Sequence, residues 1–479
     1  MSEQFHAVGI PLLYLVSAIL FILGVKGLTK IRTARRGNAI ASLAMLLAVV
    51  TTLVELGSID WRWILGGLVL GAGIGTVAAL RVAMTSMPEL VAMFNGFGGG
   101  ASALVATSFL WVHHIEPQLA GSAGTVLGAD AAVTMVLSIL IGGLTLSGSF
   151  VAYGKLAGVI SGKPLLLPGR HVINALLLLG ALAAGAQMIF VLDTPQAVAM
   201  ACLVILGISL LLGFLLVIPI GGADMPVIIS LLNSYSGVAA AATGFVLGQN
   251  LLIIAGALVG ASGLILTRIM CVAMNRTLSN VLFGGFGAPT GGADEDSEYQ
   301  NVRSYSAEEA AMLLENANSV VFVPGYGLAV AQAQHAVREL SDLLEAQGAK
   351  VSHAIHPVAG RMPGHMNVLL AEADVPYEKL IEMKNINPEF KTTDVTLVVG
   401  ANDVVNPAAK DNEASPIYGM PILEVDQSGT VIVIKRSLSP GFAGIKNTLF
   451  ENENTMMVFG DAKKVMQELV SELKELTAA

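Results

Sequence analysis

Nine long apolar stretches fill the first 283 residues of this 479-residue chain, and they limit its fold more than any other feature. A helix needs roughly 20 mostly apolar residues to span a membrane, so each stretch is long enough to cross once. We therefore predict a polytopic α-helical membrane domain with about nine transmembrane helices. The predicted spans are residues 10–28, 38–56, 63–82, 90–112, 131–151, 172–192, 198–218, 227–247 and 251–272.

Charged residues are scarce and unevenly distributed. They make up 13% of the chain, against roughly 25% in soluble domains, which also indicates a membrane protein. Basic residues of the membrane part follow the first, third, fifth and ninth spans, and the positive-inside rule places those loops in the cytoplasm. We therefore expect an external N-terminus and a cytoplasmic C-terminal part. The net charge of −9, without a strongly basic region, excludes nucleic-acid binding.

A few polar residues interrupt the membrane part. Asn95 and Asn233 fall within the fourth and eighth spans, where an amide either bonds a neighbouring helix or lines a polar path for ions; both alternatives remain open. Glu89 and Asp224 mark the cytoplasmic mouth, and Arg276 is close enough in topology to pair with one of them. No metal site is predicted, because His113 and His114 have no further ligands nearby in the sequence.

Three parts of the chain differ in composition. Residues 1–283 form the membrane domain, residues 284–305 a glycine-rich, acidic and flexible linker, and residues 306–479 a soluble domain that opens with a capping box, Ser306 and Glu309. Strands predicted at 319–324, 350–356, 395–399, 422–425, 431–434 and 456–459 alternate with helices. This pattern predicts an α/β doubly wound, Rossmann-like domain.

A glycine-rich turn follows the first predicted strand and precedes a helix. Its pattern, Gly325-x-Gly327-x-x-Val330, is that of a dinucleotide-binding turn. The acidic residue expected to close the second strand in NAD-binding domains is missing, and His353, His356 and Arg361 stand there instead. The second strand therefore argues against ordinary NAD binding.

A basic pair and a hydroxyl follow the fifth predicted strand. Lys435-Arg436-Ser437 suits a 2′-phosphate, which favours NADP(H), although a solvated basic pair is the alternative. The turns 360–364, 400–404 and 419–420 are predicted to reach the same edge of the sheet, with Asp403 at the crevice. Four turns that converge at strand ends indicate one nucleotide site.

Several motifs, in order, resemble one known family. They are Gly-Gly-Ala-Asp-Met-Pro at 221–226, Asn-Ser-Tyr-Ser-Gly at 233–237, Gly-Tyr-Gly-Leu-Ala-Val-Ala-Gln-Ala-Gln at 325–334, His-Pro-Val-Ala-Gly-Arg-Met-Pro-Gly-His-Met-Asn at 356–367, Gly-Ala-Asn-Asp at 400–403 and Lys-Arg-Ser at 435–437. Together they resemble the β subunit of proton-translocating NAD(P) transhydrogenase over nearly the whole chain.

The resemblance implies a function for each part. NADP(H) would bind the C-terminal domain in a flipped orientation under a lid, residues 435–442, and NAD(H) would bind a partner α subunit. Hydride transfer from NADH to NADP⁺ would be coupled to inward proton movement through residues 1–283. The protein would be a dimer of αβ protomers in the lipid of a bacterial inner membrane. An ion transporter or channel gated by a nucleotide-sensing domain, and a membrane-anchored dehydrogenase without ion transport, are the alternatives.

The resemblance also assigns residues. Asp403 is implied to link protonation to nucleotide state, with Asn95, Asn233, Asp224, Glu89 and Arg276 expected in the proton path and its coupling. Asn95 stands where some members have histidine, and Phe442 where tyrosine is common. Taking the turns and the resemblance together, the residues predicted to bind the cofactor are Gly325, Tyr326, Gly327, Val330, Val358, Ala359, Gly360, Arg361, Met362, Pro363, Gly364, Gly400, Ala401, Asn402, Asp403, Val404, Gly419, Met420, Lys435, Arg436, Ser437, Leu438, Ser439, Pro440, Gly441, Phe442, Asp461 and Ala462.

Overall fold

The structure is a computed structural model, and it falls into two compact units. The first unit comprises Met1–Ile220 and Val227–Thr267, and the second comprises Gly221–Pro226 and Arg268–Ala479. The residues that the structure describes are 8–28, 31–56, 61–83, 86–121, 128–162, 164–191, 194–283, 299–413, 415, 417–441 and 443–478. Residues 284–298 of the predicted linker and Phe442 of the predicted lid lie outside them.

Nine helices among the described residues are long and apolar enough to cross a membrane, which confirms the predicted number. The largest difference at a helix start is in α2, which begins seven residues before the predicted span because its basic first turns extend the helix beyond the apolar stretch. A π-helical turn, Trp111–Ile115, and α5, Glu116–Leu119, continue α4. The nine helices are α1 Ile10–Leu28, α2 Ile31–Leu56, α3 Trp61–Arg81, α4 Met87–Leu110, α6 Ala129–Leu156, α7 Arg170–Phe190, α8 Pro195–Val217, α9 Met225–Leu247 and α10 Asn250–Ala273.

Small residues bring several of these helices into close contact. A Cβ on Gly99 of α4 would press on the carbonyl oxygen of Gly142 in α6 and on Thr145. Helix α3 is an exception, because none of its residues is buried by the described part of the chain and its glycines have no neighbour within 4 Å there. A glycine-rich sequence permits a close helix contact, but the described residues of this chain supply no such partner for α3.

The second unit contains a six-stranded parallel sheet with the order β3-β2-β1-β4-β5-β6. This arrangement confirms the predicted doubly wound domain. Strands β1, β4 and β5 are mostly buried runs of apolar residues, as parallel strands covered on both faces require. The strands are β1 Ser319–Pro324, β2 Lys350–Ile355, β3 Leu380–Glu382, β4 Val395–Val399, β5 Thr430–Lys435 and β6 Thr455–Phe459.

One predicted strand is wrong and one strand was missed. The segment 422–425 is not a strand, because side-chain and loop groups bind its backbone in place of a ladder partner. Asn387 donates to the carbonyl oxygen of Ile422 at 2.9 Å, and the amide of Leu423 donates to Val404. The missed strand, β3, is only three residues long and half-exposed, so it leaves no apolar run in the sequence.

Helices connect and cover the strands. The predicted capping box is confirmed, because Ser306 and Glu309 exchange both hydrogen bonds at the start of α12. A buried core that includes Phe390 and Phe450 packs beneath the sheet and fixes the strand ends. The remaining helices are α11 Leu278–Phe283, α12 Ala307–Glu315, α13 Tyr326–Ala331, α14 Gln334–Ala346, α15 His365–Glu372, α16 Met383–Ile386, α17 Ala408–Asp411 and α18 Ala462–Ala478.

Candidate functional site

The strand order changes direction between β1 and β4, and a crevice opens at the carboxyl ends of these two strands. The turns that follow them are joined through their backbones: Gly325 donates to the carbonyl oxygen of Val399 at 2.9 Å, and Gly327 donates to that of Gly400 at 2.9 Å. A Cβ on Gly325 would overlap the backbone of Ala401. Glycine is therefore required at this position so that the two turns can form the floor of the crevice.

The loop after β2 forms a second wall of the crevice. Gly360 has φ +103°, a conformation that favours glycine, and the next residue, Arg361, places its guanidinium 4.4 Å from the centre of the Tyr326 ring. The amide of Arg361 donates to Nδ1 of His365 at 3.0 Å. Burial lowers the pKa of His365 to about 4, so the imidazole is neutral near pH 7 and can accept this bond.

His356 ties the same loop to a distant segment. Its Nδ1 accepts the amide hydrogen of Val358 at 3.3 Å, and its Nε2 donates to the carbonyl oxygen of Pro421 at 2.8 Å. Burial lowers the pKa of His356 to about 4, which keeps the ring in the neutral form that these two bonds require. The loop 358–364 and the segment near Met420 are therefore held together.

The segment after β5 carries the basic residues. Lys435 donates from Nζ to the carbonyl oxygen of Ser439, whereas the side chain of Arg436 is exposed. Asp403 accepts the amide hydrogen of Ala443 at 3.0 Å through Oδ2, and a Cβ on Gly441 would overlap its carboxylate. Burial lowers the pKa of Lys435, and the charge of Asp403 opposes this effect. The Asp403 carboxylate thus lies against the predicted lid and faces the Lys435 ammonium.

A cavity of about 480 Å³ lies at this edge of the sheet, within the range of small-molecule sites. Most of the predicted cofactor residues line it, including Asp461, whose Oδ1 also accepts the amide hydrogen of Lys463 at 3.1 Å and so caps α18. The predicted residues in its wall are Gly325, Tyr326, Gly327, Val330, Val358, Ala359, Gly360, Arg361, Met362, Gly400, Ala401, Asn402, Asp403, Val404, Met420, Lys435, Arg436, Ser437, Ser439, Pro440, Gly441, Asp461 and Ala462.

Some residues differ from the sequence prediction. The cavity wall among the described residues does not include Pro363, Gly364, Gly419 or Leu438. It does include residues that the sequence reasoning missed. Several directly flank predicted ones and could have been found by extending each turn, but the two methionines of α10 and its following turn carry no sequence signal. The missed residues are Gly222, Pro226, Met270, Met274, Ala331, Ile417, Ile434, Ala443 and Gly460; the wall also includes Arg276, which was predicted for the proton path and its coupling and not for the cofactor.

His353 does not belong to this site, although the sequence placed it at the end of the second strand. It lies inside β2, fully buried, and its ring stacks on Phe322 with centroids 5.2 Å apart. Neither ring nitrogen has a hydrogen-bond partner among the described residues. The reason is its position in the ladder: His353 pairs with Phe322 of β1 and Leu380 of β3 inside the sheet, before the carboxyl end of β2.

A polar group joins three helices inside the first unit. Asn95 of α4 donates from Nδ2 to Ser149 Oγ of α6 at 3.0 Å, and its Oδ1 accepts the hydroxyl of Ser236 of α9 at 2.7 Å. Asn233 is half-buried on α9, and no side-chain hydrogen bond joins it to the described residues; Glu89 is half-buried in the first turn of α4. The amide of Asn95 is therefore the junction of this polar group.

The predicted pairing of Arg276 is observed with Asp224. The two side chains lie 3.6 Å apart within the second unit, and the Asp224 side chain is only 1% exposed. Burial raises the pKa of this carboxyl, and the neighbouring Arg276 opposes the rise. Asp224 is thus a buried acid, and the neighbouring Arg276 favours its charged form.

The site is suited to a dinucleotide with three phosphates. Arg361, Lys435 and Arg436 supply cations, and the turns at Gly325 and Gly360 supply backbone at close approach. Together with the nine helices of the described chain that are long and apolar enough to cross a membrane, this site defines a membrane-bound dinucleotide-binding protein.

Comparison with known proteins identifies the family. The model of the NAD(P) transhydrogenase beta subunit family matches residues 10–472, so the chain belongs to this family. The NAD(P) transhydrogenase subunit beta of Rhodospirillum rubrum is 52% identical over 464 residues, which cover 95% of this chain and 97% of the relative. The same subunit from a particular strain of that organism has the same identity and coverage.

Family membership confirms the resemblance that the motifs indicated. The chain is a subunit of an NAD(P) transhydrogenase, an enzyme coupled to proton translocation. β subunits of this family bind NADP(H), and the name of the subunit implies an α partner.

Proposed function

We propose that the crevice between β1 and β4 holds NADP(H), and that the lid segment after β5 closes over it. The observation that carries this proposal is the convergence of Arg361, Lys435 and Arg436 on one cavity. Arg436 is exposed and would bind the 2′-phosphate, whereas Arg361 lies beside the glycine loop and would bind the pyrophosphate. The charge-assisted bond to the 2′-phosphate distinguishes NADP(H) from NAD(H), which has the same pyrophosphate but no 2′-phosphate.

The hydride is exchanged directly with NAD(H) on the α subunit. NADP⁺, when bound, supplies the ring carbon that accepts the hydride. The residues of this chain orient that ring and exclude water, and no side-chain acid or base is needed for the transfer itself. The described chain has a single nucleotide-binding sheet, so the second cofactor, NAD(H), must bind to the partner.

Proton movement through residues 1–283 drives this reaction forward. Asn95, Ser149 and Ser236 form a hydrogen-bonded group in which one amide contacts two hydroxyls from other helices, and Asn233 and Glu89 extend the path along α9 and α4. One charge that crosses roughly 200 mV releases about 4–5 kcal/mol. That energy displaces a hydride-transfer equilibrium by about three orders of magnitude.

Asp403 couples the proton to the nucleotide. Its carboxylate faces Lys435 and accepts the amide of Ala443, so its protonation removes a charge from the wall that binds NADP(H). Asp224 and Arg276 transmit the state of the membrane domain, because their mutual attraction depends on whether Asp224 is charged. The result is a two-state switch that the proton and the nucleotide bias from opposite ends.

The domains follow from these roles. We propose that residues 1–283 translocate protons and that residues 306–479 bind NADP(H). Residues 284–305 are the linker between these two domains. The basic loops support a cytoplasmic nucleotide domain and an external N-terminus in a bacterial inner membrane. Two αβ protomers would assemble in the lipid.

The experiment is a vesicle assay with this chain and its α subunit. NADH-dependent reduction of an NADP⁺ analogue is followed together with internal pH, for the native chain and for Asp403→Asn. We expect hydride transfer with proton uptake, and the loss of both coupling and pH response in the variant. Transfer without proton movement contradicts the coupling. A nucleotide-dependent ion leak without transfer contradicts the whole proposal and supports the gated-transporter alternative.

A further inference from the structure

The last residues of the predicted linker, 299–305, are built into the nucleotide domain. Tyr299 follows residues 284–298 in the chain and is half-buried, with its ring stacked on Phe450 at a centroid distance of 6.0 Å. The Lys446 ammonium lies 4.9 Å from the centre of the same ring. The Tyr299 hydroxyl accepts the amide hydrogen of Asn447 at 3.0 Å. The end of the linker therefore contacts residues 446 and 447 directly.

Asn447 connects this end of the linker to the turn after β4. It is fully buried, and its Nδ2 donates to the carbonyl oxygen of Asn402 at 3.1 Å and to Asn402 Oδ1 at 3.0 Å. Its own Oδ1 accepts the amide hydrogen of Leu449 at 3.0 Å, which fixes the orientation of the side-chain amide. A buried amide with every group engaged allows little independent movement of the residues it joins.

A second connection runs parallel to the first. The carbonyl oxygen of Lys446 accepts a hydrogen bond from Asn406 Nδ2 at 3.0 Å. Lys446 also forms an ion pair with Glu451 at 2.9 Å, which limits the positions its side chain can take over the Tyr299 ring. Adjacent residues thus link Tyr299 to both ends of the turn 402–406.

The turn that these bonds hold contains Asp403. Asp403 follows Asn402, to which Asn447 donates, and it accepts the amide hydrogen of Ala443, the residue directly after the lid, at 3.0 Å. A displacement of Tyr299 can therefore reach the carboxylate through two hydrogen-bonded residues, without passing through the sheet. The route is short and consists of partners with defined directions.

We propose that Tyr299 is a positioning residue for Asp403: its hydroxyl holds the backbone amide of Asn447, and the side chain of Asn447 holds the Asn402–Asp403 turn. The inference rests on the role of Asp403 in the proposed function. Tyr299 itself touches neither the cavity nor the nucleotide, because it is absent from the cavity wall. Its hydroxyl acts through the backbone amide of Asn447.

The test uses the full chain with its α subunit, and the variant Tyr299→Phe. This change removes the accepting hydroxyl and keeps the ring that stacks on Phe450. Tyr305→Phe is the matched control, because no side-chain hydrogen bond joins Tyr305 to the described residues. The two readouts are hydrogen exchange of peptides that cover residues 400–406, and the pH profile of NADPH release measured by nucleotide fluorescence.

We expect exchange of the 402–405 amides to rise about fivefold in Tyr299→Phe, the change that corresponds to loss of one hydrogen bond of roughly 1 kcal/mol. The pH midpoint of NADPH release should shift, while hydride transfer on nucleotide that is already bound stays unchanged. Tyr305→Phe should match the native protein in both readouts.

Native values for Tyr299→Phe in both readouts overturn the inference, as does faster exchange with an unshifted pH midpoint. A native protein whose NADPH release does not depend on pH contradicts the proposed role of Asp403, and the inference with it. Failure of the proposed Asp403 role can be distinguished from failure of the Tyr299 inference, because it is seen in the native chain before any variant is made.

Discussion

The guanidinium of Arg361 lies 4.4 Å from the centre of the Tyr326 ring, and this contact joins the turn after β1 to the loop after β2. The two residues come from different strands and face one cavity. The contact holds the cation near the glycine turn, where a pyrophosphate would approach the backbone. The arrangement organises the site before a nucleotide arrives, which reduces the entropy lost on binding.

Arg436→Gln should weaken NADPH binding about 10- to 100-fold and leave NADH binding unchanged, because only NADPH has a 2′-phosphate to lose a charge-assisted bond. Titration of the full chain with each nucleotide measures this. Lys474→Gln is the control, since Lys474 pairs with Glu339 and is absent from the cavity wall. Equal losses for both nucleotides contradict the assignment.

Asn95→Leu should reduce proton movement by at least about tenfold, because the hydroxyls of Ser149 and Ser236 lose their shared amide. NADPH affinity should stay within about twofold of the native value, since the nucleotide site retains all its residues. Vesicle pH measurements test the first expectation. Thr134→Val is the control, because the Thr134 hydroxyl bonds carbonyl groups of its own helix. Native proton movement in Asn95→Leu removes this residue from the path.

His353→Leu should stabilise the nucleotide domain in acid. The His353 pKa is lowered from 6.5 to about 3 by burial, so the unfolded chain binds a proton that the folded chain does not. Stability is therefore full above pH 6.5 and falls by roughly 1.4 kcal/mol for each pH unit towards pH 3. Thermal melting between pH 4 and 7 should show a smaller loss in the variant.

The exposed His335 offers the comparison for that experiment. His335→Leu should keep the native acid dependence, because this change leaves the buried imidazole of His353 in place. If His353→Leu also keeps the native acid dependence, the buried imidazole does not cause the loss of stability at low pH. The variant should gain stability even near pH 7, since two buried nitrogens without partners among the described residues are removed.

Gly99→Ala should destabilise the membrane domain by about 1–3 kcal/mol, because its Cβ would lie 2.8 Å from Thr145 and 2.9 Å from the Gly142 carbonyl oxygen. Gly71→Ala should have little effect on this chain alone, since none of the described residues outside its own helix backbone lies within 4 Å of a Cβ at that position. Thermal melting of the purified chain in detergent compares the two. Similar effects from both changes contradict the packing described for α3 and α4.

Sequence periodicity and composition were sufficient for the membrane helices and for most strands. The apolar length of each span is a local property, so α1 matches residues 10–28 without knowledge of its neighbours. The short strand β3 and the irregular segment 422–425 could not be predicted, because their pairing depends on residues such as Asn387 that are distant in the chain. A local pattern carries no information about such a partner.

The site shows the same division. The turns at Gly325 and Gly400 were predictable, because strand–turn–helix order implies a position at the carboxyl edge of the sheet. The stacking of His353 on Phe322 and the bond between His356 and Pro421 were not, although all lie near predicted site residues.

The amino-acid sequence by itself determined the membrane class, the doubly wound sheet and the family, because these depend on hydrophobic length, local order and motifs. Only the tertiary structure decided which carbonyl or amide each buried polar side chain binds. It also decided that Asn447 connects the linker end to Asp403. Hydrogen bonds have strict requirements of distance and direction, and these are met only when distant segments are packed together.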